Sequence, residues 1–167
     1  MNRFLKDFQI KNYTDKSLRD TLAEHFKSLG GELPVKGGWG YSVEDAIIID
    51  KNDPTVKKGI PFDGVGLEYI IVEKRLYEEL IIFQNKEYQF CNIEWDLESQ
   101  SLQAFGEKMI DHLIFRGSCF LKKEFDEYTE KAFLENPKLT LQEYSQKLEE
   151  TKIYFKTEYF FDVTSFI

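Results

Sequence analysis

Between Cys91 and Glu98 the chain alternates without a break: Cys91, Ile93, Trp95 and Leu97 are apolar, and Asn92, Glu94, Asp96 and Glu98 are polar. Side chains on a strand point to opposite faces with period two, so this segment predicts a half-buried strand. Its apolar face, Trp95 included, belongs in the core. Its other face carries three carboxylates in a row, and no Lys or Arg occurs between Lys86 and Lys108 to neutralise them along the chain.

The same patterning predicts the other elements. Ser17 is an N-cap with Asp20 three residues on, and Leu18, Leu22, Phe26 and Leu29 follow at helical spacing up to a stop at Gly30. Five of the ten glycines fall between Gly30 and Gly40, which predicts a loop. Residues 46–50 form a short apolar strand, ended by Lys51-Asn52-Asp53-Pro54, and 55–66 return to loop. Residues 67–83 carry two apolar stripes: Leu67, Ile70, Ile71, Tyr77 and Ile81, then Tyr69, Val72, Leu76, Leu80 and Phe83. That pattern favours a largely buried helix over a strand. Residues 87–121 predict an antiparallel meander with strands at 87–98, 101–105 and 109–121 and a turn at Gly106-Glu107-Lys108. The third of these is apolar on both faces and belongs in the middle of the sheet. A helix over 122–134 ends at Asn136-Pro137. Thr140 and Glu143 open another over 141–150 as a capping box. Strand character returns from 153 to 166, and Phe166-Ile167 reads as a docked end. The fold expected is α+β over residues 1–167 as a single domain. It has one mostly antiparallel sheet, the meander 87–121 plus strands near 46–50 and 153–166, packed with about four helices.

Composition narrows the function. Aromatic residues make up 16% of the 167-residue chain, enough bulk for a core, so disorder is not expected. The net charge is −8. The acid surplus lies in the middle, where residues 64–121 hold ten Asp/Glu against five Lys/Arg. Nucleic acids and anionic membranes are disfavoured as partners, because both are bound through basic groups. A basic protein is electrostatically favoured. The first eight residues carry Arg3, Lys6 and Asp7 and no apolar leader pattern. Cys91 and Cys119 read as two reduced core thiols, and the chain as cytoplasmic.

Catalytic and metal signatures are fragmentary. Gly40-Tyr41-Ser42 lacks the second glycine of a nucleophile elbow, Gly38-Trp39-Gly40 and Gly64-Val65-Gly66 lack the third glycine of a dinucleotide loop, and Asp50-Lys51-Asn52 is followed by Pro54 where a calcium loop needs a ligand. Only His25 and His112 are present as histidines. No catalytic residue, metal site or cofactor is assigned. Two features remain. Glu94, Asp96 and Glu98 form the acid-faced strand, a candidate contact surface. Trp39 and Tyr41 lie in the glycine-rich loop and are residue types preferred at interfaces. Together they predict an intracellular protein-binding module that docks a basic protein. Bacterial immunity proteins and antitoxins share this compositional profile: small, acidic and without an active site. The alternative is a small enzyme or ligand-binding domain with a pocket at loop 37–41, lined by Trp39, Tyr41, Asp45 and His112.

Overall fold

The computed structural model describes residues 3–5, 14–29, 33–135 and 138–167. Gly30, the expected helix stop, and Asn136-Pro137 lie outside those residues. The elements in chain order are β1 (Arg3–Leu5), α1 (Leu18–His25), β2 (Val35–Gly37), β3 (Ile47–Ile49), α2 (Gly64–Tyr77), β4 (Phe90–Phe105), β5 (Lys108–Leu121), α3 (Lys122–Glu135), α4 (Leu141–Glu150) and β6 (Ile153–Asp162). They make one mixed sheet of six strands with four helices, an α+β fold. The strand order is β2-β3-β6-β5-β4, with β1 paired to β6.

Two long antiparallel interfaces, β4 with β5 and β5 with β6, form most of the sheet. The short strands β1 and β3 run parallel to β6, β1 against Ile153–Phe155 and β3 against Phe161 and Asp162. β5 is therefore an interior strand, as its two apolar faces predict.

The predicted three-strand meander is instead one long hairpin. β4 runs unbroken for sixteen residues and pairs with β5 from Phe90 to Phe105. Where the first two predicted strands are separated, between Glu98 and Ser101, the chain makes a β-bulge: the register slips between Leu97 and Ser99. Before the slip, even-numbered residues of β4 share a face with Ser118 and Arg116, and after it odd-numbered residues lie beside Ile114 and His112. A second slip, between Cys91 and Glu94, holds Asn92 at φ 49°, one of the few backbone states that asparagine accepts and branched residues avoid. The hairpin closes on Gly106-Glu107, with Gly106 at φ 62°, the pattern of a type II′ turn.

Local signals at the helix starts are borne out, but α1 ends at His25, short of the expected stop, and a 3-10 turn over Lys27–Leu29 follows it. The Ser17 side chain accepts from the Asp20 amide, and the capping box of Thr140 and Glu143 is complete in both directions. Residues 67–82 are helical, nearly the whole expected span of 67–83, but the helix starts earlier, at Gly64, where Asp63 caps it through the Gly66 amide. After Tyr77 it widens into a five-residue π-helical turn, Glu78–Ile82. β2 is a strand within the stretch read as loop. It pairs antiparallel with β3, and Gly37, at φ 88°, ends it after only three residues.

The core lies between α1, α2 and one face of the sheet. Leu113, Phe115 and Cys119 of β5 and Phe155, Tyr159 and Phe161 of β6 meet Ile71, Val72, Leu76 and Leu80, with Leu18 and Leu22 alongside. Each such enclosed side chain contributes roughly 1.5–3 kcal/mol relative to exposure. Trp95 packs against this core without being enclosed. It stacks on Tyr69 and meets Phe115 edge-on, but remains half-buried because β4 is an edge strand. Both cysteines are free thiols; Cys119 is buried, and burial pushes it up to about 12, whereas Cys91 is half-buried.

Candidate functional site

Three groups of charged side chains stand out: one on the open face of the sheet and two inside the molecule.

The first is the acid-faced strand. β4 presents Glu94, Asp96 and Glu98 on the face turned away from α2, and all three are exposed. The neutralising charges missing from the sequence neighbourhood arrive across the sheet. Lys156 of β6 reaches Glu98 at 2.9 Å, and Lys152, just before β6, reaches Glu94 at 3.3 Å. The Lys156 hydrogen bond holds the Glu98 carboxyl below its ordinary value. Asp96 lies opposite Arg116 in the β4–β5 register, yet neither makes an ion pair among the described residues. These residues border a concavity of ≈ 400 Å³, completed by Phe4, Gly117 and Tyr154. Phe4 is 56% exposed. A Cβ at Gly117 would come within 2.4 Å of the Phe155 ring and of the Glu94 carbonyl oxygen, so only glycine lets β4 and the Phe155 ring approach β5 this closely. The groove thus has an acidic wall on β4, the Arg116 and Lys156 cations across it, and aromatic groups at one end.

The second group is sealed. Arg75, Glu78 and Glu79 are each fully buried. The Arg75 guanidinium donates to Glu78, to the Tyr41 hydroxyl at 2.6 Å and to Glu79 at 3.1 Å. The Tyr41 and Tyr159 hydroxyls both donate to Glu79. His25 closes the other side, with Nδ1 2.7 Å from Glu78. Burial pushes Glu79 up to about 7, although Arg75 and the tyrosine hydroxyls pull the other way. Burial opposes the Arg75 charge, but Glu79 and its other anionic neighbours outweigh that and keep it protonated. Burial and Glu79 together raise both tyrosines far above neutrality, so both remain donors.

This cluster corrects the expectation for Trp39 and Tyr41. Neither ring is offered at a surface; they are 8% and 7% exposed. The reason is Arg75. Its guanidinium lies 4.6 Å from the centre of the Trp39 ring, a cation–π contact, and hydrogen-bonds Tyr41. Gly40, at φ 85°, turns the loop inward, and its carbonyl accepts from the Phe160 amide of β6 at 2.9 Å. The loop is fastened to α2 and the sheet. Nor does His112 join a pocket there: it stacks on Phe160 at 4.2 Å and bonds Glu158 at 2.7 Å. His25 and His112 serve different carboxylates.

The third group was not legible as a site. Glu68 of α2 is fully buried and Asp111 of β5 is 5% exposed. Both Glu68 oxygens and Asp111 Oδ1 have no hydrogen-bond partner among the described residues. Gln100 of β4 donates to the other Asp111 oxygen at 2.5 Å. Burial, and then the Asp111 charge, pushes Glu68 up to about 8. One signal was available: Glu68, Val72, Arg75 and Glu79 fall at helical spacing on one stripe, so charges share the apolar face. Among the described residues, no three His, Cys, Asp or Glu gather as a metal-binding group. No helix among them is long and apolar enough to cross a membrane.

No family model matches the chain, and no curated protein or solved structure matches it.

Proposed function

We propose that the chain is an acidic protein-binding module of the immunity-protein or antitoxin kind, which docks a basic protein along the β4 side of the open sheet face. The observation that supports this is the state of Asp96. It lies mid-row, exposed and without an ion pair, on the rim of a concavity with an exposed aromatic ring. Glu94 and Glu98 are held by lysines, so Asp96 is the acid most free to meet a cation from outside. β4 is also an edge strand, and its outer backbone groups face no neighbouring strand among the described residues. Like charges along such an edge oppose self-pairing and favour a partner of opposite sign. Arg116 gives the groove a second sign, and with it a preferred orientation for the bound surface. The alternative pocket at loop 37–41 has no such support, because Trp39 and Tyr41 are enclosed.

The test compares wild type with Asp96→Lys as baits in native lysate, followed by association kinetics on the captured protein. The expected partner is basic, is lost or strongly weakened with Asp96→Lys, and associates more slowly as salt is raised. An acidic partner, or equal capture by both baits, would refute the reading.

A further inference from the structure

Glu68 and Asp111 are both buried, the Asp111 charge acts on Glu68, and three of their carboxylate oxygens are unmatched among the described residues. Each is out of place in its own row. Ile71, Val72 and Leu76 accompany Glu68 on the buried side of α2, and Leu113, Phe115 and Cys119 accompany Asp111 on the core side of β5. No Lys, Arg or His forms an ion pair with either acid among the described residues. Few groups stand near the pair: His112, adjacent on β5 but turned to the opposite face, is the smallest influence on Asp111, and Gln100 of β4 supplies an amide. Two ionised carboxylates cannot be enclosed in this way without a positive charge between them.

We propose that Glu68, Asp111 and Gln100 form a binding site for a hard divalent cation of the calcium or magnesium class. The donors are all oxygen, the set such ions prefer. Glu68 offers both oxygens and Asp111 offers Oδ1. A flip of the Gln100 amide turns its carbonyl oxygen to the same place. Two carboxylates balance the charge of one divalent ion. Access is short, because Gln100 is exposed and stands directly over Asp111. Calcium fits better than magnesium, since it accepts irregular carboxylate geometry and completes its shell with water. The competing occupant is a proton on Glu68. Cation binding releases it, so affinity rises with pH.

The experiment uses the full chain, stripped with a chelator and melted at pH 7.5 with Ca²⁺, Mg²⁺ or K⁺. Calorimetric titration with Ca²⁺ runs beside the melts. The expected result is a saturable rise in melting temperature with Ca²⁺, weaker with Mg²⁺ and absent with K⁺. Glu68→Gln imitates the protonated acid, should fold, and should abolish the shift. Gln100→Ala, at an exposed position, should weaken Ca²⁺ affinity by roughly tenfold, at the low end for loss of a ligand-orienting partner. The combined variant Glu94→Gln, Asp96→Gln, Glu98→Gln should keep the shift. No saturable response to either divalent ion would overturn the proposal. So would an undiminished response in Glu68→Gln, or its loss in the β4 triple variant, which would move the ion to the sheet face.

Discussion

Two rows of charge run through this molecule, one along β4 and one along α2, and they are handled in opposite ways. On β4 the acids point into water, and their repulsion is relieved by lysines from across the sheet. Those bonds are individually weak, because solvent already screens the charges. On α2 and the turn after it the charges point inward. Arg75, Glu78 and Glu79 survive there because each is matched by a specific partner, and at Glu68 burial favours the neutral, protonated acid. The sheet row should therefore tolerate substitution and matter for binding. The helix row should resist substitution and matter for folding.

The sharpest break of that comparison is Arg75→Ala. Removing one member of a buried ion pair strands the other charges, at a cost of about 3–5 kcal/mol. Denaturant unfolding of this variant should show the largest loss of any single substitution considered. Since Trp39 and Tyr41 are fastened by the same guanidinium, tryptophan fluorescence should also report a loosened loop. An effect under about 1 kcal/mol would place Arg75 among the surface charges instead.

The next effect is on pH. Glu68 stands at about 8 in the folded chain against 4.5 for the free side chain. A raised folded value means the folded state holds its proton more tightly. That stability is fully present below pH 4.5, and it is lost as pH rises toward 8. In chelator-treated protein, stability should fall across this window with a slope approaching about 1.4 kcal/mol per pH unit. Glu79, raised to about 7, adds to the same slope. Glu68→Gln should therefore reduce the slope without removing it. Equal slopes in both proteins would show that Glu68 is not held protonated.

Trp95→Ala tests the back of the sheet row. An enclosed Trp costs roughly 3–5 kcal/mol on truncation. Trp95 is half-buried, and the stacking on Tyr69 accounts for much of what it contributes. A loss of about 2 kcal/mol is expected in the same denaturant assay, between the outcomes for Arg75 and for the acids it backs.

These cases also show what the sequence displays and what it hides. Alternation exposes a charged row on a strand at once, because a two-residue period separates the faces cleanly. The caps at Ser17 and Thr140 were equally plain, since their partners lie within one turn. The inward charges of α2 were hidden because a polar residue on a helix reads as solvated unless its partner is known, and Tyr41 and Tyr159 lie 34 and 80 positions from the residues they bond. Trp39 was misplaced for the same reason. The long hairpin was read as a meander because a β-bulge and a turn both interrupt alternation with polar residues. They differ only in the register of the opposite strand.

The smallest effect on folding, and the one most informative about function, is expected from replacing Glu94, Asp96 and Glu98 together with Gln. Two opposing terms are in play. The change removes repulsion along the strand, and it also removes the ion pairs to Lys152 and Lys156. Each term is about 0–1 kcal/mol for exposed groups, so they nearly cancel. The melting temperature should barely move. Binding should respond differently, because the three charges, Asp96 above all, supply the long-range attraction that brings a basic partner to the correct face. Association at low salt should slow by roughly tenfold or more, with a smaller change in dissociation. Raising salt should narrow the gap between variant and wild type, since the wild-type advantage is the screened part. If the triple variant associates at the wild-type rate at low salt, the row on β4 is a solvated edge that prevents self-pairing. The contrast with α2 would then concern stability alone.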